Sequence, residues 1–178
     1  MKTTVARLLA MIGLLALVTT AAASADESAA NLRAKLSGFN EVTPKATGGT
    51  GVLKAKASNG TIEFTLTYSG LTTPAFMAHF HFAQRGVNGN VFVWLCGSPS
   101  TPAHHVCPPG NTSQPQTVTG TITAADIQAV PDQNISAMDM ATALRIIEAG
   151  DAYVNVHTSK FPAGEIRGQV SSEESDSD

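Results

Sequence analysis

Three histidines are the residues best placed to do chemistry. His79-Phe80-His81 is an H-x-H triplet inside an apolar run. In an extended strand, residues i and i+2 share a face about 6.6 Å apart, so two imidazoles at that spacing can converge on one ion. Met77 would share the face and offer a soft sulfur, while Ala78, Phe80 and Phe82 would turn into the core. A second alternating segment, Asp151 to His157, puts Ala152, Val154 and Val156 on one side and Tyr153, Asn155 and His157 on the other. If the two segments are neighbours, His79, His81 and His157 make a three-histidine cluster that suits copper or zinc with an open position. Metal held this way should be lost as pH falls below about 6, because the ligand is the neutral ring. The plainer alternative is histidines that hydrogen-bond to backbone or to carboxylates. Glu165 and Arg167 flank Ile166 on a polar face and read as a buried or half-buried pair with backbone partners, not as acid and base. His104-His105 reads as solvent-exposed.

Positioning these residues requires strands, and period-two alternation dominates the chain. It predicts strands over 32–36, 50–57, 61–68, 77–82, 91–95, 117–122, 152–157 and 165–170. Asn59-Gly60 marks a tight hairpin turn, and 38–49, with Pro44, reads as a longer turn region. Two capping signals, Thr123-Ala-Ala-Asp126 and Ser136-Ala-Met-Asp139, predict one or two short helices. The second would carry the stripe Met140, Leu144 and Ile147 and stop at Gly150. The expected fold is mostly β, an antiparallel β-sandwich of immunoglobulin-like or superoxide-dismutase-like arrangement, with a barrel as the alternative. The expected core is Phe64, Leu66, Phe80, Phe82, Val91, Val93, Val154, Val156 and Ile166, with Trp94 on the face opposite Val93.

The chain has 178 residues, 43% hydrophobic and 14% charged, with a formal charge of −3. That supports one packed domain, and the absence of a basic patch argues against nucleic-acid binding. Lys2 and Arg7 precede an apolar run over 8–18 that is shorter than the ~20 residues a spanning helix needs. Ala23-Ser24-Ala25 then gives a cleavage signal between Ala25 and Asp26, so 1–25 reads as a signal peptide. No membrane span is expected after its removal. The expected location is extracellular, or periplasmic in a Gram-negative bacterium. In an oxidising compartment Cys96 and Cys107 are expected to form a disulfide. The residues 171–178 read as an acidic disordered tail. Asn59, Asn111 and Asn134 head sequons that matter only in a eukaryotic source. No dinucleotide, P-loop, nucleophile-elbow or H-E-x-x-H motif is present.

Several stretches resemble a known family. Leu36-Ser-Gly-Phe-Asn-Glu-Val42, Ala78-His-Phe-His81 with Gly86-Val-Asn-Gly89, and Tyr153-Val-Asn-Val-His-Thr158 with Phe161-Pro-Ala-Gly-Glu-Ile-Arg-Gly-Gln169 are similar to the motifs of the CHRD domain. The resemblance covers 32–170. It implies a β-rich extracellular module and transfers no catalytic residue. In chordin such domains belong to a protein that binds growth factors, but this chain lacks chordin's cysteine-rich modules, so that activity does not carry over. The H-x-H strand also resembles the copper-zinc superoxide dismutase sandwich in arrangement alone. Two functions follow as expectations. One is a non-enzymatic binding or structural module with an unknown extracellular protein or surface ligand as partner. The other is a copper- or zinc-binding protein, redox-related in one version, using His79, His81 and His157.

Overall fold

The computed structural model describes residues 29–97 and 106–173. Residues 1–25, expected to be a signal peptide, with the cleavage position Ala25–Asp26, the pair His104-His105 and 174–178 lie outside the described residues.

Eight of the strands run in chain order as β1 (Ala30–Ser37), β2 (Thr50–Ser58), β3 (Thr61–Ser69), β4 (Ala75–Phe82), β5 (Asn90–Cys96), β6 (Gln116–Ile122), β7 (Ala152–Thr158) and β8 (Ile166–Gln169). Every pairing is antiparallel, and the order across the sheet is β5-β4-β7-β8-β1-β2-β3-β6. The expected antiparallel β class is present. The expected division into two packed sheets is not, because the hydrogen-bonded ladder runs unbroken from β5 to β6. The two end strands come into contact, so the sheet is nearly closed into a barrel-like form. Full closure or near-closure is one way a β protein hides its edges.

Alternation sets the inside of this form. Leu32, Ala34 and Leu36 of β1, Leu53 of β2, and Ile62, Phe64, Leu66 and Tyr68 of β3 are all buried in one apolar cluster. Asn59 and Gly60 both take positive φ, the backbone that a two-residue hairpin between β2 and β3 demands. Helix α1 (Met140–Glu148) packs Ala143, Leu144, Ile146 and Ile147 into the same cluster. Its N-cap is Asp139, which accepts from Thr142 N at 2.9 Å. The helix therefore starts three residues after the Ser136 signal. Gly150, at φ +74, ends it as expected. The Thr123 signal yields a single 3-10 turn, Ala124–Asp126, with Asp126 Oδ2 accepting from Thr123 N at 2.8 Å.

Two details correct the expected core. Phe82 and Val91 are only half-buried, whereas Phe92 and Leu95 are buried. Against β4, Ala78 faces Cys96 but His79 faces Trp94, and Phe80 faces Val93 but His81 faces Val91. Leu95 and Phe92 are thus bulge residues, and each bulge resets which face the strand turns inward. Trp94 is left half-buried. At the far end, Ser171–Glu173, read from the sequence as the start of the acidic tail, form a short strand β9 on β1. Backbone pairing needs no apolar side chain, so hydropathy could not show it. Cys96 and Cys107 are joined, with Cα atoms 5.2 Å apart.

Candidate metal centre

Strands β4 and β7 are direct neighbours, and their register fixes the site. Met77 faces His157, His79 faces Asn155, and His81 faces Tyr153. On the other side of β7, Asn155 faces Arg167 of β8. All these side chains except Met77 are buried, so the polar side of β7 is as covered as its apolar side. The cover is the loop after β1 and the loop between β4 and β5, and both supply polar partners. Asn40 Nδ2 donates to Arg167 O at 3.0 Å. Arg167 donates to Val87 O at 2.6 Å, Gln84 O at 3.3 Å and Asn88 Oδ1 at 3.2 Å.

The structure brings His79, His81 and His157 together, with one ligand nitrogen from each within 4.8 Å of the others. Ring centroids lie 4.6 Å apart for His79 and His81 and 4.4 Å for His79 and His157. A tetrahedral zinc or copper site with bonds of ~2.0–2.1 Å wants nitrogens about 3–3.5 Å apart, somewhat closer than the 4.8 Å within which these lie.

The hydrogen bonds define which nitrogens are free. His81 Nδ1 lies 2.8 Å from Gly89 O, and His157 Nδ1 lies 3.0 Å from Pro162 O. A carbonyl only accepts, so each Nδ1 carries the proton. In a neutral ring Nε2 is then a bare lone pair. His81 Nε2 is 3.1 Å and His157 Nε2 2.9 Å from the same atom, Asn155 Oδ1. His79 Nδ1 is buried without a hydrogen-bond partner.

The rings are held neutral. Burial, then the neighbouring His157 and His81, push His79 down to about 2 from an ordinary 6.5. The Asn155 amide works against this and favours the protonated His79 ring. Burial pushes His81 down to about 4, against the Gly89 carbonyl. His157 is also lowered by burial.

Four further residues complete the surroundings. Tyr153 stacks on His81, and the Arg167 guanidinium sits over Tyr153 at 3.3 Å from its centroid. Trp94 meets His79 edge-on at 4.9 Å. Glu41 is buried beside Asn155, and burial raises its carboxyl to about 7 against the opposing pull of Arg167 and Lys45. Sequence reasoning passed over Glu41, since an acid in a turn region reads as solvated, and its place in the Phe39-Asn-Glu-Val42 motif was the only signal.

Glu165 and Arg167 do not pair with each other. Glu165 Oε2 accepts from Thr158 Oγ1 at 2.7 Å and Thr72 Oγ1 at 2.9 Å, and Oε1 accepts from Thr72 N at 2.9 Å. It ties the loop after β3 to the end of β7. Met77 is half-buried at its register position opposite His157.

The family model for the CHRD domain matches residues 32–170. The chain belongs to the CHRD domain family. Neither the comparison with curated proteins nor that with solved structures gave a match. All three histidines, Asn155 and Arg167 of the CHRD domain lie within the matched span, as does the disulfide.

Proposed function

We propose that this CHRD protein is an exported, non-enzymatic module that holds one copper or zinc ion on His79, His81 and His157. One observation carries the metal reading. Two Nε2 lone pairs face a single carbonyl oxygen, all three are acceptors, and no proton lies among them. Buried acceptors that face each other repel unless a cation or a proton sits between. Burial of His81 and His157 disfavours the proton at neutral pH. A divalent ion satisfies all three, and the Nδ1–H···O=C bonds are the kind of outer contact that orients metal-bound histidine. Export is supported by the N-terminal signal pattern and by the Cys96–Cys107 bond.

The test is a titration of the purified protein with Cu(II) and with Zn(II) at pH 7, with bound metal measured after dialysis. One equivalent is expected. Trp94 is the only tryptophan and touches His79, so Cu(II) should quench its emission. His79→Ala should lose both the binding and the quenching. Retention of neither metal by the unmodified protein would overturn the reading.

A second reading, a module that binds an extracellular partner, is favoured by a different place. Phe39 and Val42 are exposed at the rim of a cleft of about 420 Å³ that reaches Glu41 and Arg167. Loss of capture of an extracellular ligand on Phe39→Ser would support it, and the metal titration should be unaffected.

A further inference from the structure

Resting on the metal reading above, we infer that Asn155 is the fourth donor of the site, through Oδ1, and that the site is closed. The register places Asn155 directly across from His79, and the same residue faces Arg167 on its other side. Its oxygen stands 3.1 Å and 2.9 Å from the free nitrogens of His81 and His157. Those separations are close to, and slightly shorter than, the about 3–3.5 Å between donor atoms that bonds of ~2.0–2.1 Å at tetrahedral angles leave. The oxygen therefore occupies a corner of the coordination polyhedron and not its centre.

The other end of the amide explains why the oxygen points this way. Asn155 Nδ2 lies on the side of Gly164 and Glu41, and there it favours the charged carboxylate. The Glu41 oxygen on that side, Oε1, is a buried acceptor with no hydrogen-bond partner. An unpaired carboxyl oxygen on that side suits the amide nitrogen and leaves the carbonyl toward the histidines, as outer residues orient the donors of a metal.

Four protein donors, three nitrogen and one oxygen, leave no position for a substrate. His79, His81, Asn155 and His157 are all buried, which fits a held ion better than a reacting one. A hard oxygen donor with no thiolate favours a divalent ion over Cu(I).

The experiment compares the full protein with Asn155→Ala and Asn155→Asp, each checked for folding by circular dichroism. Metal affinity is measured by competition with a chelator, and the Cu(II) centre by electron paramagnetic resonance. In Asn155→Ala the affinity should fall roughly 10–100-fold and the Cu(II) spectrum should change, with His79, His81 and His157 still supplying nitrogen couplings. Asn155→Asp, which keeps an oxygen at that corner and adds a charge, should bind at least as tightly as the unmodified protein. Unchanged affinity and spectrum in both variants would overturn the inference while leaving the three-histidine site standing. If Asn155→Ala fails to fold, an Asp variant with a Cu(II) spectrum identical to that of the unmodified protein overturns it equally. No binding by the unmodified protein defeats the metal reading itself.

Discussion

His81 lies flat on Tyr153, with ring centroids 4.5 Å apart and planes 3° from parallel. The other face of Tyr153 carries the Arg167 guanidinium. A cation is thus one ring away from the histidine cluster, and it contributes to keeping His81 unprotonated. The stack also fixes the His81 ring plane, which a metal ligand needs as much as it needs a free nitrogen.

Removing the cation should cost more than its charge. Arg167→Leu removes the side-chain donor of Val87 O and one of the two donors of Gln84 O, which keeps Val87 N. The loop between β4 and β5 should loosen, carrying Gly89 and its hold on His81 with it. Urea unfolding should show the lost stability, and hydrogen exchange should show it concentrated in that loop. Arg167→Lys should not rescue, because one ammonium cannot stack on Tyr153 and serve three acceptors.

The metal-free protein should show two opposing pH dependences. The buried histidines have folded pKa values below their unfolded ones, so their contribution is present above about 6.5 and lost as pH falls. Glu41 has its value raised to about 7 from 4.5, so the folded state holds a proton that the unfolded state has released. Its contribution is full below about 4.5 and lost as pH rises to about 7. Between these limits the histidines outnumber Glu41, and stability should rise with pH. Glu41→Gln should steepen that rise and be more stable than the unmodified protein above pH 7. A variant that tracks the unmodified protein at all pH values would show that Glu41 is not buried in its charged form.

The same values alter the expected pH range of metal binding. An ordinary histidine site releases its ion below about pH 6. Here burial lowers all three rings, His81 to about 4, so proton competition should begin below the pH of an ordinary site. Binding measured by Trp94 quenching should therefore fall off at a lower pH than about 6.

Much of this arrangement was legible in the residues. Alternation in Tyr153, Asn155 and His157, and the i, i+2 spacing of His79 and His81, fixed which side chains share a face. Adjacency of β4 and β7 was not legible, because it depends on a ladder between segments some seventy residues apart. Nor were the partners. Gly89, Pro162 and Glu41 come from loops, whose backbone carbonyls and buried acid carry no periodic signal. The inward faces of β5 were misread for a similar reason, since bulges at Phe92 and Leu95 break the period on which the reading rests. That error has an energetic consequence: Phe80→Ala, fully buried, should cost roughly 3–5 kcal/mol, and Phe82→Ala clearly less.

Gly164 has no functional group, yet it bears on the site. Its φ is +121, a backbone that side chains rarely adopt. A Cβ built there would stand 2.5 Å from Glu41 Oε1 and 2.9 Å from Asn155 Nδ2. Both contacts are the ends of buried side chains, so the Cβ must push the Glu41 carboxyl and the Asn155 amide aside. Gly164→Ala should therefore destabilise the protein by at least the roughly 1–3 kcal/mol of an overpacked site. It should also weaken metal binding by displacing the Asn155 amide, although no histidine is altered. Thermal melting checks the first effect, and chelator competition on the folded fraction checks the second. Gly150→Ala is the control. It too has positive φ, at +74, but its Cβ would meet nothing within 4 Å. It should share the backbone penalty and leave metal affinity unchanged. Equal metal affinities in the two variants would mean that the contact between Gly164 and Asn155 does not set the orientation of the amide.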